Sequence, residues 1–116
     1  MPKVSETTLE INLASLKHNF EYLKSKLKNN TLFLAVVKAF AYGSDATVIA
    51  KTLEKIGVDY FAVAYISEGI ALRKAGIKTP IKVLHPQPNN LSLAIEHCLE
   101  PSLYTLKILK EFERIA

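Results

Sequence analysis

Lys38 is the residue of this sequence best placed to do chemistry. It follows an unbroken run of apolar residues from Leu32 to Val37, and Tyr42 and Gly43 come shortly after it. Such a run predicts a buried strand, and in parallel α/β folds the carboxyl ends of the strands face the functional site. A lysine at a strand end is partly desolvated, which favours the neutral amine that attacks carbonyl groups. Schiff-base chemistry is one interpretation, and a lysine that extends its charged end into water is the other.

Strands and helices alternate along the chain around this lysine. Residues 8–13, TLEINL, alternate apolar and polar positions and predict a strand with one buried face. An amphipathic helix follows and is expected to end near Asn29 and Asn30. Four βα units come next, with strands predicted in LFLAVV (32–37), YFAVAYI (60–66), IKVL (81–84) and SLYT (102–105). The first two strands are apolar on both faces, so the fold class is predicted to be α/β with a parallel sheet.

Several residues mark the helix boundaries. Gly57 and Gly76 are expected to stop two of the helices, and Ser67 is the expected N-cap of the helix between them. The last two helices are predicted from two apolar sets, Leu91, Ala94, Ile95 and Cys98, then Leu106, Leu109, Phe112 and Ile115.

The bulk composition excludes several classes of protein. The 116 residues are 49% hydrophobic and 22% charged, as in a globular domain rather than a disordered chain. The net charge of +4 is spread without a basic run, so no nucleic-acid partner is expected. No apolar run approaches the ~20 residues that cross a bilayer, so no membrane partner is expected either. The single cysteine suits a reducing compartment, and we expect a cytoplasmic protein.

No metal site is predicted. His18, His85 and His97 show no ligand spacing with one another or with Cys98. We interpret His18 as a helix-surface residue and Cys98 as a small core residue. His85 follows the third strand, at the end of the sheet where a site is expected, and its simpler interpretation is a loop position before Pro86.

The string AVVKAFAYG (35–43) resembles the pyridoxal-phosphate lysine motif of alanine racemases, V-K-A-(N or D)-A-Y-G-H-G. The opening LEINLASLKHNFEYLK (9–24) is similar to the start of that family, and DYFAVAYISEGIALRKAGIKTPIKVL (59–84) is similar to its second and third βα units. The resemblance covers nearly the whole chain. It implies the N-terminal part of a (β/α)8 TIM-type barrel that is followed, in this family, by a β-rich domain.

The resemblance divides the chain and assigns its chemistry. Residues 1–116 would form a partial barrel domain, with a leading strand and helix in 1–30 and four βα units in 31–116. The rest of the barrel and the C-terminal β-domain are expected to lie outside these residues. The implied activity is that of an isomerase, the interconversion of L-alanine and D-alanine for peptidoglycan precursors, by a homodimer with pyridoxal 5'-phosphate.

Four residues receive roles from the resemblance. Lys38 would hold the cofactor as a Schiff base and act as one of two proton-transfer bases at the substrate α-carbon. Tyr42 would hydrogen-bond the cofactor phosphate, Leu84 would help wall the cofactor ring, and Val36 would pack beneath it. The second base, a tyrosine of the partner's C-terminal domain in this family, has no matching position in the sequence. The 116 residues alone are therefore expected to be inactive, and their open sheet edges are expected to make them self-associate.

The sequence departs from the family motif at two places. Phe40 stands where Asn or Asp is usual, which removes a polar side chain beside Lys38. Ser44 and Asp45 replace the usual His-Gly, and either can cap the next helix with a side-chain oxygen.

Two other functions compete with the racemase. One is a single-domain barrel that binds pyridoxal 5'-phosphate for cofactor homeostasis, although that family has a different sequence after its lysine. The other is a short protein that binds a partner through its open sheet and catalyses nothing.

Overall fold

The computed structural model describes residues 7–43 and 45–116, in which four strands alternate with helices. The strands are β1 (Leu34–Val36), β2 (Tyr60–Val63), β3 (Ile81–Val83) and β4 (Glu100–Pro101). The helical segments are α1 (Leu13–Ser25), α2 (Lys38–Gly43), α3 (Ala46–Lys55), α4 (Ile66–Lys74), a 3-10 turn (Pro88–Asn90), α5 (Leu91–Glu96) and α6 (Leu106–Ile115).

The four strands form one parallel sheet in chain order, β1-β2-β3-β4. Helical connections carry the chain from one strand to the next, as parallel strands require. The register places Val36 beside Ala62, and Ala62 beside Lys82. The predicted α/β class with a parallel sheet is confirmed.

One face of the sheet packs against the helices and forms the core. Its strand residues are fully buried and include Phe61, Val63, Ile81 and Val83. The opposite face carries Leu34 and Val36, whose exposed fractions are 43% and 38%. The predicted burial of both faces is confirmed for β2. It is wrong for β1, because no described side chains cover the second face of that strand.

The N-terminal segment differs from its predicted structure. Residues 8–12 do not form a strand, because the described part of the chain offers no neighbouring strand to pair with them. Asn12 caps α1 instead, and its side-chain oxygen accepts a hydrogen bond from the Ser15 N–H at 3.0 Å. The helix ends at Ser25, before the predicted end, and Asn30 has the left-handed conformation, φ 71°, that a right-handed helix excludes.

The fourth strand begins earlier than predicted. β4 covers Glu100–Pro101, and residues 102–105 (SLYT) follow it as a loop. Pairing with β3 explains the difference, since Glu100 aligns with Lys82 in the parallel register. The alternation of strands and helices, which predicted a strand at SLYT, does not decide where a short strand pairs.

The two last helices carry further corrections. α5 ends at Glu96, and Cys98 is exposed with φ 54°, so its prediction as a core residue is wrong. Leu99 occupies the buried position after this turn. α6 is confirmed as a helix, but Ile108 is its buried residue, and Leu106 on the predicted apolar face is 72% exposed.

The predicted stops of α3 and α4 are confirmed. Gly57 and Gly76 follow these helices with φ values of 100° and 97°, a conformation that favours glycine. The start of α4 is different from the prediction, since the helix begins at Ile66 and Tyr65 is its N-cap. Ser67 therefore lies inside the first turn rather than before it.

Glu54 connects α3 to the loop that enters β3. Its Oε2 accepts hydrogen bonds from the Lys78 and Thr79 N–H groups, both at 2.8 Å, and from the Thr79 hydroxyl at 2.7 Å. Desolvation raises the pKa of Glu54, but these hydrogen bonds and the nearby Arg73 lower it more, so the net pKa lies below the usual value of 4.5.

The lowered pKa predicts a pH-dependent stability. Because the folded pKa is below the unfolded one, the contribution of Glu54 is fully present above about pH 4.5 and is lost as the pH falls through the folded value. Urea unfolding of wild type and Glu54→Gln should differ most near neutral pH, and the difference should shrink in acid. Thr79→Val removes the hydroxyl that donates to Glu54, so it should reduce the pH-dependent part of the free energy of unfolding. A difference that stays constant over this range would contradict the assignment.

Within the described residues, no helix is long and apolar enough to cross a bilayer.

Candidate active site

Lys38 lies at the carboxyl end of β1, where the sequence predicts it. The Val37 N–H donates a hydrogen bond to the Ala62 carbonyl at 2.9 Å, so the β1–β2 ladder continues to the residue before the lysine. Lys38 is half-buried, and among the described residues its amine forms no ion pair with a carboxylate. The amine therefore follows the buried Val37 at the end of β1 and, among the described residues, has no acidic partner.

The segment after Lys38 is a left-handed helical turn. Ala39, Phe40, Ala41 and Tyr42 have φ between 51° and 59° and ψ between 38° and 50°. Each residue with a Cβ costs roughly 1–2 kcal/mol in this conformation, and such strain is typical of functional sites. Gly43 follows with φ 88°, which glycine adopts at little cost.

Tyr42 is on this turn and is 67% exposed. Tyr42 and Lys38 both belong to α2, so two of the four residues predicted for the site lie on one element. Asp45 follows and caps α3, because its Oδ1 accepts hydrogen bonds from Thr47 N–H at 3.1 Å and Val48 N–H at 3.4 Å. The prediction of a cap at this place is confirmed for Asp45, and Ser44 lies outside the described residues.

Val36 and Leu84 are the predicted apolar contacts. Val36 is on the open face of β1, and Leu84 follows β3 with its N–H bonded to the Val63 carbonyl at 2.9 Å. Strand alternation places Leu84 on the same face as Lys82, and Lys82 shares that face with Ala62 and Val36 through the register. β2 lies between the two residues, and Leu84 is two positions further along its strand than Lys82, which the register places level with Val36. Their role in a site stays a prediction.

Aromatic residues surround the carboxyl ends of the next strands. The His85 ring lies 6.4 Å from the Tyr65 ring and 6.5 Å from the Tyr104 ring, measured between centroids. These residues follow β3, β2 and β4, so they lie at the same end of the sheet as Lys38. His85 lies at the predicted end of the sheet, and its predicted loop position before Pro86 is confirmed.

Glu68 is a residue of this region that the sequence reasoning missed. Its Oε1 accepts hydrogen bonds from the Ala64 and Tyr65 N–H groups, both at 2.9 Å, ahead of α4. Its Oε2 accepts one from the Ala39 N–H at 2.8 Å, next to Lys38. An acidic residue three positions into a helix is a recognised capping signal, but the contact across to Ala39 has no local signature.

A family model described as "Alanine racemase, N-terminal domain" matches residues 11–116. The chain belongs to the alanine racemase family. Among curated relatives it is 41% identical over 112 residues to alanine racemase 1 of Caldanaerobacter subterraneus, covering 96% of this chain and 29% of that protein. It is 39% identical over 117 residues to alanine racemase 2 of Clostridium acetobutylicum, covering 100% and 29%.

Solved alanine racemases have the same fold over this region. The chain matches the Clostridium difficile enzyme with a TM-score of 0.88 and 37% identity, covering 91% of this chain and 29% of that one. It matches a Bacillus anthracis alanine racemase with bound L-Ala-P with a TM-score of 0.89 and 30% identity, covering 99% and 30%. The described sheet and helices are thus the N-terminal part of an alanine racemase barrel. The chain spans about 29% of the length of the curated relatives.

Phe40, a departure from the alanine racemase motif, has a testable cost. Its φ of 59° is unfavourable for a bulky residue, whereas asparagine adopts this conformation more readily. The ring is 69% exposed, so little packing is lost on replacement. Phe40→Asn should raise the free energy of unfolding by about 0.5–1 kcal/mol, measured in urea. Phe40→Ala, which removes the ring without this conformational gain, is the control, and an equal effect in both would contradict the explanation.

Proposed function

We propose that this chain supplies the cofactor-holding part of a pyridoxal 5'-phosphate-dependent racemase that interconverts L-alanine and D-alanine. One observation carries the proposal: Lys38 stands at the carboxyl end of β1, at the start of a left-handed turn, and its amine has no carboxylate partner among the described residues. Membership of the alanine racemase family supplies the substrate.

The residues present fit this cofactor. A planar ring needs an apolar surface, and the open face of β1 offers Val36, while Leu84 lies on the same face beyond β3. A phosphate needs donors, and the Tyr42 hydroxyl is exposed on the turn that begins with Lys38. The half-buried Lys38 provides the nucleophilic amine.

Each of these residues has a defined task in the proposed reaction. Pyridoxal 5'-phosphate, when bound, withdraws electrons from the substrate α-carbon and makes its proton acidic. Lys38 would hold the cofactor covalently and, when its amine is free, take or return a proton at the α-carbon from one side. Tyr42 would donate its hydroxyl proton to a phosphate oxygen, and Val36 and Leu84 would exclude water from the cofactor ring.

Inversion also requires a base on the other side of the α-carbon. The family resemblance assigns that base to a tyrosine of a partner subunit, so we propose that the active protein is a homodimer. Its product would serve peptidoglycan precursor synthesis in the cytoplasm. Both statements rest on the family relationship rather than on contacts of this chain.

Hydrogen exchange at the α-carbon tests the proposal. A complete racemase, which carries these residues together with the segments that supply its other catalytic groups, is incubated with pyridoxal 5'-phosphate and L-alanine in D2O. We expect loss of the α-proton NMR signal together with formation of D-alanine, detected with a D-amino acid oxidase. Covalent cofactor binding without exchange would overturn the racemase assignment and favour a cofactor-homeostasis role.

A further inference from the structure

Glu68 joins two backbone segments that belong to different βα units. Through Oε1 it accepts from Ala64 and Tyr65 at the start of α4, and through Oε2 it accepts from Ala39 on α2. Ala39 is the residue directly after Lys38. Each carboxylate oxygen is therefore used, and the carboxylate is bonded to backbone N–H groups rather than to the lysine amine.

The hydrogen bond from Ala39 to Glu68 lies in a segment whose backbone conformation is unfavourable. The turn from Ala39 to Tyr42 is locally unfavourable, so contacts from outside the turn must hold it. The Ala39 N–H donates a hydrogen bond of 2.8 Å to the Glu68 side chain, and hydrogen bonds to carboxylates are about twice as strong as those between neutral groups. A cavity of about 90 Å³ lies beside the contact, lined by Val37, Phe40 and Glu68 among others, so packing alone does not fill this region.

We propose that Glu68 is a positioning residue for Lys38. Glu68 ties the Ala39 N–H, the first of the left-handed turn, to the Ala64 and Tyr65 N–H groups at the start of α4, and this set of hydrogen bonds, called the clamp below, holds the Lys38 amine in place. The positioning role rests on the proposed function, whereas the clamp itself does not. Glu68 does not touch the reacting atoms in this account. It acts through the backbone of Ala39.

Glu68→Gln separates the two halves of the contact. A glutamine keeps the length of the side chain but has one acceptor oxygen, so it can cap α4 or bind Ala39, but not both in the same way. Glu68→Ala removes both and risks misfolding. Glu54→Gln is the matched control, because Glu54 also accepts three hydrogen bonds from a neighbouring loop.

The first measurement is amide hydrogen exchange by NMR on the 116-residue chain. The Val37 N–H, bonded to the Ala62 carbonyl, is the internal reference. In Glu68→Gln the exchange of Ala39 relative to Val37 should become at least about 10-fold faster, while Glu54→Gln should leave this ratio unchanged. An unchanged ratio in Glu68→Gln overturns the clamp.

The second measurement is the rate at which pyridoxal 5'-phosphate becomes fixed to Lys38, followed over pH by borohydride trapping and peptide mass spectrometry. Glu68→Gln should slow the capture several-fold and alter its pH profile, whereas Glu54→Gln should not. Equal rates and profiles in Glu68→Gln and wild type overturn the positioning role alone. Label on a different lysine in wild type overturns the proposed function and the positioning role with it, whatever the exchange data show about the clamp.

Discussion

In a complete racemase that carries this segment, replacing Lys38 with alanine is expected to abolish covalent cofactor binding and to lower racemase activity by at least about 1000-fold. The amine is proposed both to hold pyridoxal 5'-phosphate and to move the α-proton, so both tasks fail together. The visible absorbance that borohydride bleaches should disappear from the variant. Activity is measured as D-alanine formed from L-alanine with added cofactor.

Lys51→Ala is the matched control for this substitution. Lys51 is exposed on α3, so its loss should leave the absorbance and the turnover unchanged. Circular dichroism of both variants checks that the fold persists. A Lys38→Ala protein that still forms the bleachable species at the wild-type level would contradict the role of Lys38.

The 116 residues expressed alone are expected to turn over L-alanine at least about 1000-fold more slowly than a racemase with all of its catalytic groups. They contain Lys38 and Tyr42, whereas the family resemblance assigns the opposite-face base to a tyrosine of the partner's C-terminal domain. Transition-state stabilisation requires these groups to be placed together. The assay is D-alanine formation by purified chain, prepared from cells that lack their own racemase.

Covalent binding and turnover should separate in this experiment. The chain is expected to acquire borohydride-trapped label on Lys38 while it forms D-alanine at the background rate. Turnover comparable to that of a complete racemase would contradict the assignment of the second base to another segment.

The sequence alone predicts the framework that carries the lysine. The unbroken apolar run before Lys38 indicates that the lysine lies at the end of a strand, and Gly57 and Gly76 mark the helix stops, because each signal is local. The parallel sheet follows from the alternation of strand and helix patterns. These features are confirmed since local preference and tertiary structure agree there.

The conformation of the lysine turn could not be predicted from its residues. Ala39, Phe40 and Ala41 are not residues that favour positive φ, so local preference points away from the observed turn. What holds Ala39 there is Glu68, which lies far away in sequence and becomes a neighbour through the β1–β2 pairing. A hydrogen bond between residues so far apart in the chain leaves no periodic pattern in the sequence.

The misplaced strands have a related cause. TLEINL alternates like a strand, and SLYT takes the place of the fourth strand in the alternation of strands and helices, but a strand also needs a partner in register. Lys82 aligns with Glu100, so the residues that pair with β3 are Glu100 and Pro101, which precede SLYT. Tyr104, within SLYT, remains exposed. Burial of Leu99 rather than Cys98 is likewise decided by the turn after α5, which the helical spacing does not reveal.

Identification of the lysine that binds the cofactor tests the central claim most directly. The protein is incubated with pyridoxal 5'-phosphate, reduced with borohydride, digested, and mapped by mass spectrometry. We predict the cofactor label on Lys38, in the peptide that contains AVVKAFAYG. Label on Lys24 or Lys51 in place of Lys38 would contradict the account.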